Sequence, residues 1–507
     1  MTGRDRASIV SLGERSARVG REGLTARLLS SPIGFTALMM VITAYYLFLL
    51  SNGTFKLFAP ELLSRVFDNM LVHLLHGEFT VDRNVIEFEA FTRDGKTYSY
   101  FGVFPALLRL VTIPFTNVAT VEFARVSCLT AVVIFVALQL RMLLMVYNSV
   151  PLADRSSSTL TIIAAATVLS GPQLYILGTA SIYHEPILWS VAMGAAFNLL
   201  VLRAALNTQG WGRGDLILLA LLGGLAINTR PTIGVALCLG TVLLVGWEAW
   251  CRYGRDSSSA SATIGATMRD GSMVLPMVVL ALFGLVVGLV NFERWGNPLV
   301  FADFHYHYWT LRNPNRIAAI DNYGEFNLGR IWIGALYYST GIPYLLWHVP
   351  PFAGYLSARL GGIEAPPIVP LFTNPLTVLL AAVGVFRLWH RPLLPPNGAA
   401  ILRLALLGTA SAAVLICAAS YYAMRYHFDF SPFMTLAAVV GYRAILISSG
   451  ESSVRQRSRL GFVATSLCVL GILISHYVLL IHKVWSIGEP MEVRRTLAVF
   501  APFAFRP

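Results

Sequence analysis

Residues 272–292 read SMVLPMVVLALFGLVVGLVNF, a run of twenty-one residues without a charged side chain. An α-helix rises about 1.5 Å per residue, and the hydrocarbon core of a membrane is roughly 30 Å thick. About twenty apolar residues are therefore needed to cross it, and this run supplies them. The segment predicts a transmembrane helix.

Similar runs recur along the chain. Of its 507 residues 56% are hydrophobic and 13% are charged, whereas a soluble protein has about 25% charged residues. We predict an all-α, polytopic transmembrane helix bundle of about eleven spans. The predicted spans are 33–51, 120–147, 159–177, 184–206, 215–229, 231–249, 272–292, 371–389, 401–421, 430–448 and 460–482.

The arginines predict the orientation of this bundle. They concentrate in the N-terminal segment and in the short connections, which by the positive-inside rule face the cytoplasm. The N-terminus is then inside, and the two long loops, 52–119 and 293–370, lie on the outer face. Within these loops the stretches 101–115 and 331–348 are apolar but short, which is typical of interfacial helices.

The net charge of +12 comes largely from these topology-determining arginines, so nucleic acid is not a predicted partner. A Gly-rich phosphate loop of the GxxxxGK[ST] type is also missing, which argues against the common nucleotide-binding folds.

The first outer loop carries the first group of candidate residues. Asp68 stands in a stretch, 61–76, that can form a helix at the outer surface, where a carboxylate can act as a general base or bind a divalent cation. Lys96 precedes Tyr98 and Tyr100, and a lysine there can bind a lipid-linked phosphate as a point charge. A solvated loop acid and a snorkelling lysine are the ordinary alternatives.

The second group lies where predicted spans begin or end on the outer side. Glu185 follows His184 and precedes Pro186 at the start of the fourth span. There a carboxylate either caps a helix or serves a site, and ionisable groups at spans tend to be functional. His184 is either a substrate ligand or a boundary residue.

Three further charged residues complete this group. Arg294 ends the seventh span, and Arg425 opens the tenth with Asp429 four residues later. On an α-helix Arg425 and Asp429 share a face. They either pair with each other or face a phosphate together.

Taken together, these motifs resemble the GT-C superfamily of polytopic glycosyltransferases, within it the bacterial branch related to protein O-mannosyltransferases and lipid A aminoarabinose transferases. Four features carry the resemblance: Asp68 soon after the first span, the GKTY…FPALL stretch from Gly95 to Leu108, Glu185 at the fourth span, and the RY…DFSP stretch from Arg425 to Pro432. Two departures are Asn69 after Asp68, where the branch often has Asp-Glu, and Val103-Phe104-Pro105 where it has a Pro-Pro pair.

The resemblance implies an enzyme that moves a sugar from a polyprenyl-phosphate donor to a glycan, lipid or protein acceptor on the outer face of a bacterial inner membrane. Asp68 would be the general base, and Glu185 would orient the acceptor or help to hold a divalent cation. The implied donor-phosphate ligands are Lys96, Arg425 and Arg294. The implied substrate-binding residues are His184, Tyr98, Tyr100 and Asp429. Metal dependence stays open.

The same resemblance implies four regions: a cytoplasmic basic N-terminus (1–32), a GT-C-like catalytic module (33–292), the second outer loop (293–370) and C-terminal transmembrane helices (371–507). Two other interpretations stand beside the enzyme. A transporter or flippase of a lipid-linked sugar would place its ionisable groups near the bilayer midplane. A non-catalytic scaffold would keep the fold alone.

Overall fold

The computed structural model describes residues 23–208, 210–212, 214–254, 259–364, 370–391, 393–451 and 453–487. It is 75% helical with almost no sheet, which confirms the predicted all-α bundle. Most of the predicted basic N-terminus and the end of the chain after residue 487 lie outside the described residues.

Eleven long helices, labelled α1 to α11 here, fall in the segments predicted as spans. They are α1 (Pro32–Leu50), α2 (Ala124–Ser149), α3 (Ser157–Leu169), α4 (His184–Leu206), α5 (Asp215–Ile227), α6 (Pro231–Ala249), α7 (Gly271–Trp295), α8 (Pro375–His390), α9 (Pro396–Ala418), α10 (Ser431–Glu451) and α11 (Val454–Ile487).

Nine helical stretches within the described ranges are long and apolar enough to cross a membrane, so the chain is a multi-pass membrane protein. Two of the predicted spans fall short of this length. The helix α5 has 13 residues and α8 has 16, or about 20 and 24 Å at the usual rise. The total of eleven spans therefore stays a prediction.

Local sequence signals set the helix ends. Proline occupies the first turn of α1, α6, α8 and α9, where its missing N–H is not needed for a helical hydrogen bond. Asp270 caps α7 by accepting a hydrogen bond from the backbone N–H of Ser272 at 2.8 Å. Gly296 ends the same helix with a left-handed φ of 72°.

Small residues allow close packing inside the bundle. A Cβ added to Gly384 on α8 would lie 1.9 Å from the carbonyl oxygen of Ala437 on α10, and one on Gly441 would lie 1.9 Å from that of Leu380. The two backbones therefore touch, as at small-residue crossings in other membrane helices. The main hydrophobic core runs through α2, α4, α6, α9 and α10.

Short elements fill the two long loops and the connections. The remaining helices are Leu24–Ser30, Val66–Leu75, Arg83–Ile86, Glu87–Glu89, Phe104–Leu107, Leu108–Thr112, Leu152–Asp154, Pro172–Ile176, Trp250–Gly254, Ala260–Arg269, Phe304–Tyr306, Tyr308–Leu311, Pro314–Tyr323, Leu328–Arg330, Ile331–Thr340, Ile342–Leu346, Phe352–Arg359, Pro370–Thr373 and Met424–Phe430. The stretches predicted as interfacial helices, 101–115 and 331–348, are each broken into shorter helices. Gly341, with a left-handed φ of 71°, interrupts the second of them.

Four short strands complete the fold. In the first loop β1 (Phe91–Arg93) pairs antiparallel with β2 (Lys96–Tyr98) through Asp94 and Gly95, both with positive φ, which is the usual Asp-Gly hairpin turn. In the second loop β3 (Gly362–Ile363) pairs with β4 (Tyr421–Tyr422), just before α10. This second pairing holds the outer loop beside the residues that precede α10.

Candidate functional site

A cavity of about 780 Å³ opens at the end of the bundle where α4 and α10 begin. Its walls come from both long loops and from the 3₁₀-helix Met424–Phe430. The residues that line it and can carry chemistry are Glu89, Tyr100, Tyr183, His307, Trp309, Arg312, Arg316, Glu364, Tyr421, Arg425 and Tyr426. Carboxylates, guanidinium groups and aromatic rings thus meet in one space large enough for a sugar and a phosphate.

Arg425 lies in the cavity wall and is paired with the second loop. Its Nη1 donates to Oε1 of Glu364 at 2.8 Å, and its guanidinium carbon lies 4.6 Å from the ring centroid of Tyr183. A guanidinium held against an aromatic face and a carboxylate is fixed in direction.

Arg425 and Asp429, for which the sequence left open either a pair or a shared phosphate site, do not pair with each other. Asp429 accepts from Arg230 through both carboxylate oxygens, with Nη2–Oδ2 at 2.5 Å. The reason is the local helix type: the segment Met424–Phe430 is a 3₁₀-helix with three residues per turn, so residues four apart point in different directions. Asp429 is fully buried and does not line the cavity, and it secures α10 to the start of α6.

Glu89 and His307 form a second pair on the cavity wall, one from each loop. Oε2 of Glu89 lies 3.4 Å from Nε2 of His307. Burial disfavours the charged carboxylate, but interactions with His307 and Tyr183 and the positive charge of Arg425 lower the pKa of Glu89 below its ordinary value. The side chain is therefore a carboxylate at neutral pH.

Arg316, like Arg312, lines the cavity and has no carboxylate partner within the described ranges. Its guanidinium carbon lies 5.1 Å from the ring centroid of Phe304 and 4.9 Å from that of Tyr421. Its Nε is buried without a hydrogen-bond partner among the residues described. A guanidinium held between two rings with its donors unused is suited to bind an anion.

A separate buried cluster joins the two carboxylates that the sequence singled out. Arg109 donates from Nε to Oδ1 of Asp68 at 2.8 Å and from Nη2 to Oε2 of Glu185 at 2.9 Å, with a further bond from Nη1 to Oε1 of Glu185. These three side chains, called the buried triad here, are at most 2% exposed. Ser127 donates to Glu185 at 2.5 Å.

The triad has an unequal charge balance. Two carboxylates share one guanidinium, and Oδ2 of Asp68 has no hydrogen-bond partner among the residues described. Burial, and to a lesser extent the nearby Glu185, raises the pKa of Asp68 to about 6, although Arg109 acts in the opposite direction. Asp68 is not among the residues that line the cavity.

The structure thus brings Asp68 and Glu185 together, but around a guanidinium. In the described part of the chain, no three His, Cys, Asp or Glu side chains are grouped so that they could hold a metal ion.

The predicted phosphate ligands are separated in space. Lys96 is exposed at the start of β2 and does not line the cavity. Arg294 is buried, and its Nη1 donates to the carbonyl oxygen of Phe101 at 2.8 Å. Of the three arginines and lysines predicted to bind phosphate, Arg425 is the one in the cavity wall.

The predicted substrate-binding residues also lie in different places, and some of them are outside the cavity lining. Tyr100 lines the cavity, whereas Tyr98 packs in a small core with Phe91 and Trp295. His184 is buried and does not line the cavity, and its Nδ1 lies 2.7 Å from the carbonyl oxygen of Thr179.

Sequence reasoning missed Arg109, Glu364 and Arg316 as site residues. For Arg109 a signal existed, because an arginine inside the apolar stretch 101–115 needs a partner. Glu364 and Arg316 lie in a long loop among other polar residues, where nothing in the sequence separates them from solvated side chains.

No protein-family model matches this sequence, and no curated protein matches it. Seven chains of solved structures are similar to it. The oligosaccharyltransferase of Archaeoglobus fulgidus in its apo form is 14% identical with a TM-score of 0.42, over 88% of this chain and 55% of that one. The same archaeal enzyme, AglB, in complex with an inhibitory peptide and a dolichol-phosphate is 13% identical with a TM-score of 0.43, over 89% of this chain and 55% of that one.

ArnT from Cupriavidus metallidurans bound to undecaprenyl phosphate is 12% identical with a TM-score of 0.39, over 90% of this chain and 75% of that one. AglB and ArnT are both GT-C membrane glycosyltransferases, the superfamily that the sequence motifs resemble. This chain spans about half the length of the oligosaccharyltransferase structures. The identities and TM-scores are too low to transfer the activity of either enzyme to it.

Proposed function

We propose that this protein is a membrane glycosyltransferase that moves a sugar from a polyprenyl-phosphate-linked donor to a glycan, lipid or protein acceptor. The observation that carries the proposal is the cavity of about 780 Å³, in which carboxylates, unpaired guanidinium donors and aromatic rings converge at one end of a membrane bundle. We place that end on the periplasmic or outer side of a bacterial inner membrane, because the short arginine-bearing connections lie between the opposite helix ends.

In this proposal the donor enters along the membrane and its phosphate lies between Arg316 and Arg425. Both guanidinium groups are held by ring contacts, so they are in place before the donor binds. Preorganised positive charge stabilises the lipid phosphate as it leaves, which is the electrostatic part of catalysis. Tyr183 and Tyr426 line the cavity beside the Arg425 guanidinium and supply aromatic surface for the sugar.

The role of Asp68 as the general base stays a prediction. Its unpaired Oδ2 and its pKa of about 6 suit a base that works near neutral pH. Its enclosed position and its bond to Arg109 favour a part in holding the site together.

The test is transfer of radiolabelled mannose, glucose or galactose from undecaprenyl phosphate, using purified protein in nanodiscs and heat-inactivated membranes as the acceptor. We expect the wild-type protein to transfer at least one of these sugars. A loss of about 10²–10⁴-fold in folded Asp68→Asn, together with near wild-type transfer by Glu89→Gln, would establish Asp68 as the general base. Transfer within about tenfold of wild type would give Asp68 a structural role instead of a catalytic one. Glu185→Gln is measured in the same assay.

A different result would replace the proposal. If folded wild-type protein transfers no sugar but moves the labelled lipid-linked sugar between the leaflets of vesicles, the protein is a flippase. Fluorescence-monitored size exclusion of each variant shows whether it is folded before its activity is compared.

A further inference from the structure

Glu89 is a carboxylate that an acceptor in the cavity can meet directly. It ends the 3₁₀-helix Glu87–Glu89, its side chain is 13% exposed, and it lines the cavity. Asp68 is 1% exposed, accepts a hydrogen bond from Arg109, and does not line the cavity. An acceptor hydroxyl bound in the cavity therefore reaches Glu89 without any change in the fold.

His307 is placed to fix the direction of this carboxylate. Its ring stacks on Phe91 with centroids 4.6 Å apart, and its Nδ1 lies 2.9 Å from Oγ1 of Thr310. If the Thr310 hydroxyl donates to Nδ1, the neutral ring carries its proton on Nε2, which faces Glu89. This Nε2 is buried and has no hydrogen-bond partner in the described part of the chain.

The distance from Nε2 to Oε2 of Glu89, 3.4 Å, is longer than a hydrogen bond. Catalytic hydrogen bonds are often long in the free enzyme and shorten when the substrate binds. His307 is only 3% exposed and is held by Phe91 and Thr310. The side chain that moves to shorten this distance is therefore that of Glu89. The pair is therefore preorganised on the histidine side.

The other candidates on the cavity wall are less suitable as bases. Glu364 accepts from Nη1 of Arg425 at 2.8 Å and from the backbone N–H of Met424 at 3.2 Å, so both of its oxygens are engaged. Tyr183 and Tyr100 are phenols, which hold their proton at neutral pH.

We propose that Glu89, positioned by His307, is the general base that takes the proton of the acceptor hydroxyl; this inference rests on the proposed function. The acceptor oxygen forms a bond to the anomeric carbon of the sugar while the bond from that carbon to the phosphate oxygen breaks. The proton passes to the Glu89 carboxylate, and the electron pair of the broken bond leaves with the polyprenyl phosphate beside Arg316 and Arg425. Glu89 is the catalytic residue in this step, and His307 is a positioning residue.

The experiment compares Glu89→Gln with Glu87→Gln in the nanodisc transfer assay. Glu87 lies in the same 3₁₀-turn, but it is exposed and does not line the cavity. We expect Glu89→Gln to lose about 10²–10⁴-fold in transfer rate, the range for a general base, and Glu87→Gln to transfer at the wild-type rate. Undecaprenyl phosphate should displace the labelled donor from wild type and Glu89→Gln alike.

A rescue experiment separates a lost base from a damaged site. Added formate supplies a small carboxylate, so it should restore part of the transfer by Glu89→Ala and should not stimulate the wild type. His307→Gln should lower the rate at saturating donor and leave the donor concentration at half-maximal rate nearly unchanged, because His307 acts through Glu89.

The outcomes for the two proposals differ. Full transfer by folded Glu89→Gln, or loss of transfer in Glu89→Ala that formate does not relieve, would overturn the role of Glu89 and leave the glycosyltransferase proposal standing. Absence of transfer by the wild-type protein with every sugar would overturn the proposed function, and the role of Glu89 with it.

Discussion

Arg109→Met is expected to lower the free energy of unfolding by about 3–5 kcal/mol, the usual cost of removing one partner from a buried ion pair. Arg109 is the one cation between Asp68 and Glu185, and all three side chains are at most 2% exposed. Without it two carboxylates stay buried near each other, beyond the reach of water. The measurement is the midpoint of thermal unfolding in detergent, which we expect to fall by on the order of 5 °C.

Two further variants make this result specific to the triad. Lys96→Met removes a positive charge from an exposed position on β2, and its midpoint should match the wild type. The triple variant Asp68→Asn, Arg109→Met and Glu185→Gln has no uncompensated charge, so it should recover part of the lost stability. A wild-type midpoint for Arg109→Met would show that the triad does not stabilise the fold.

Arg316→Gln is expected to weaken donor binding by about tenfold to a hundredfold, since a hydrogen bond to a charged group contributes about 1.5–3 kcal/mol. Arg316 has no carboxylate partner in the described part of the chain, so its charge is available to a phosphate. The readout is the concentration of undecaprenyl phosphate that displaces half of the labelled donor.

The matched control for this prediction is Arg359→Gln. Arg359 lies in the same outer loop, stacks 3.8 Å from the ring centroid of Tyr355, and does not line the cavity. It should bind undecaprenyl phosphate as the wild type does. Equal affinities of Arg316→Gln and wild type would remove Arg316 from the phosphate site and leave Arg312 and Arg425 as the remaining candidates in the cavity wall.

The structure brings some of the predicted site residues together and separates others. Asp68 and Glu185 were expected to act at one site, and they do meet, because each lies beside the end of a helix on the same side of the bundle. Arg425 and Tyr100 were assigned to a substrate site and line the cavity. The sequence did not indicate which of Lys96 and Glu89 would line the cavity, since both are charged residues of one polar loop.

The hairpin explains why Lys96 and Glu89 differ in position. The Asp94-Gly95 turn pairs β1 with β2, which leaves Lys96 exposed while Glu89, just before β1, faces the cavity. A polar loop without a periodic pattern carries no signal for this choice. The spacing of Arg425 and Asp429 was interpreted for an α-helix, in which they would share a face. Because Met424–Phe430 is a 3₁₀-helix, their side chains point in different directions.

The sequence alone determined that this chain is a bundle of membrane helices and which of its segments form them. The free energy of placing an apolar run in hydrocarbon is a property of the run itself, so it can be computed residue by residue. Only the tertiary structure decided that Arg109 joins Asp68 to Glu185, and that Glu89, His307, Arg316 and Arg425 share one cavity. These side chains come from distant parts of the chain, and their pairing depends on how the helix ends and the two loops pack together.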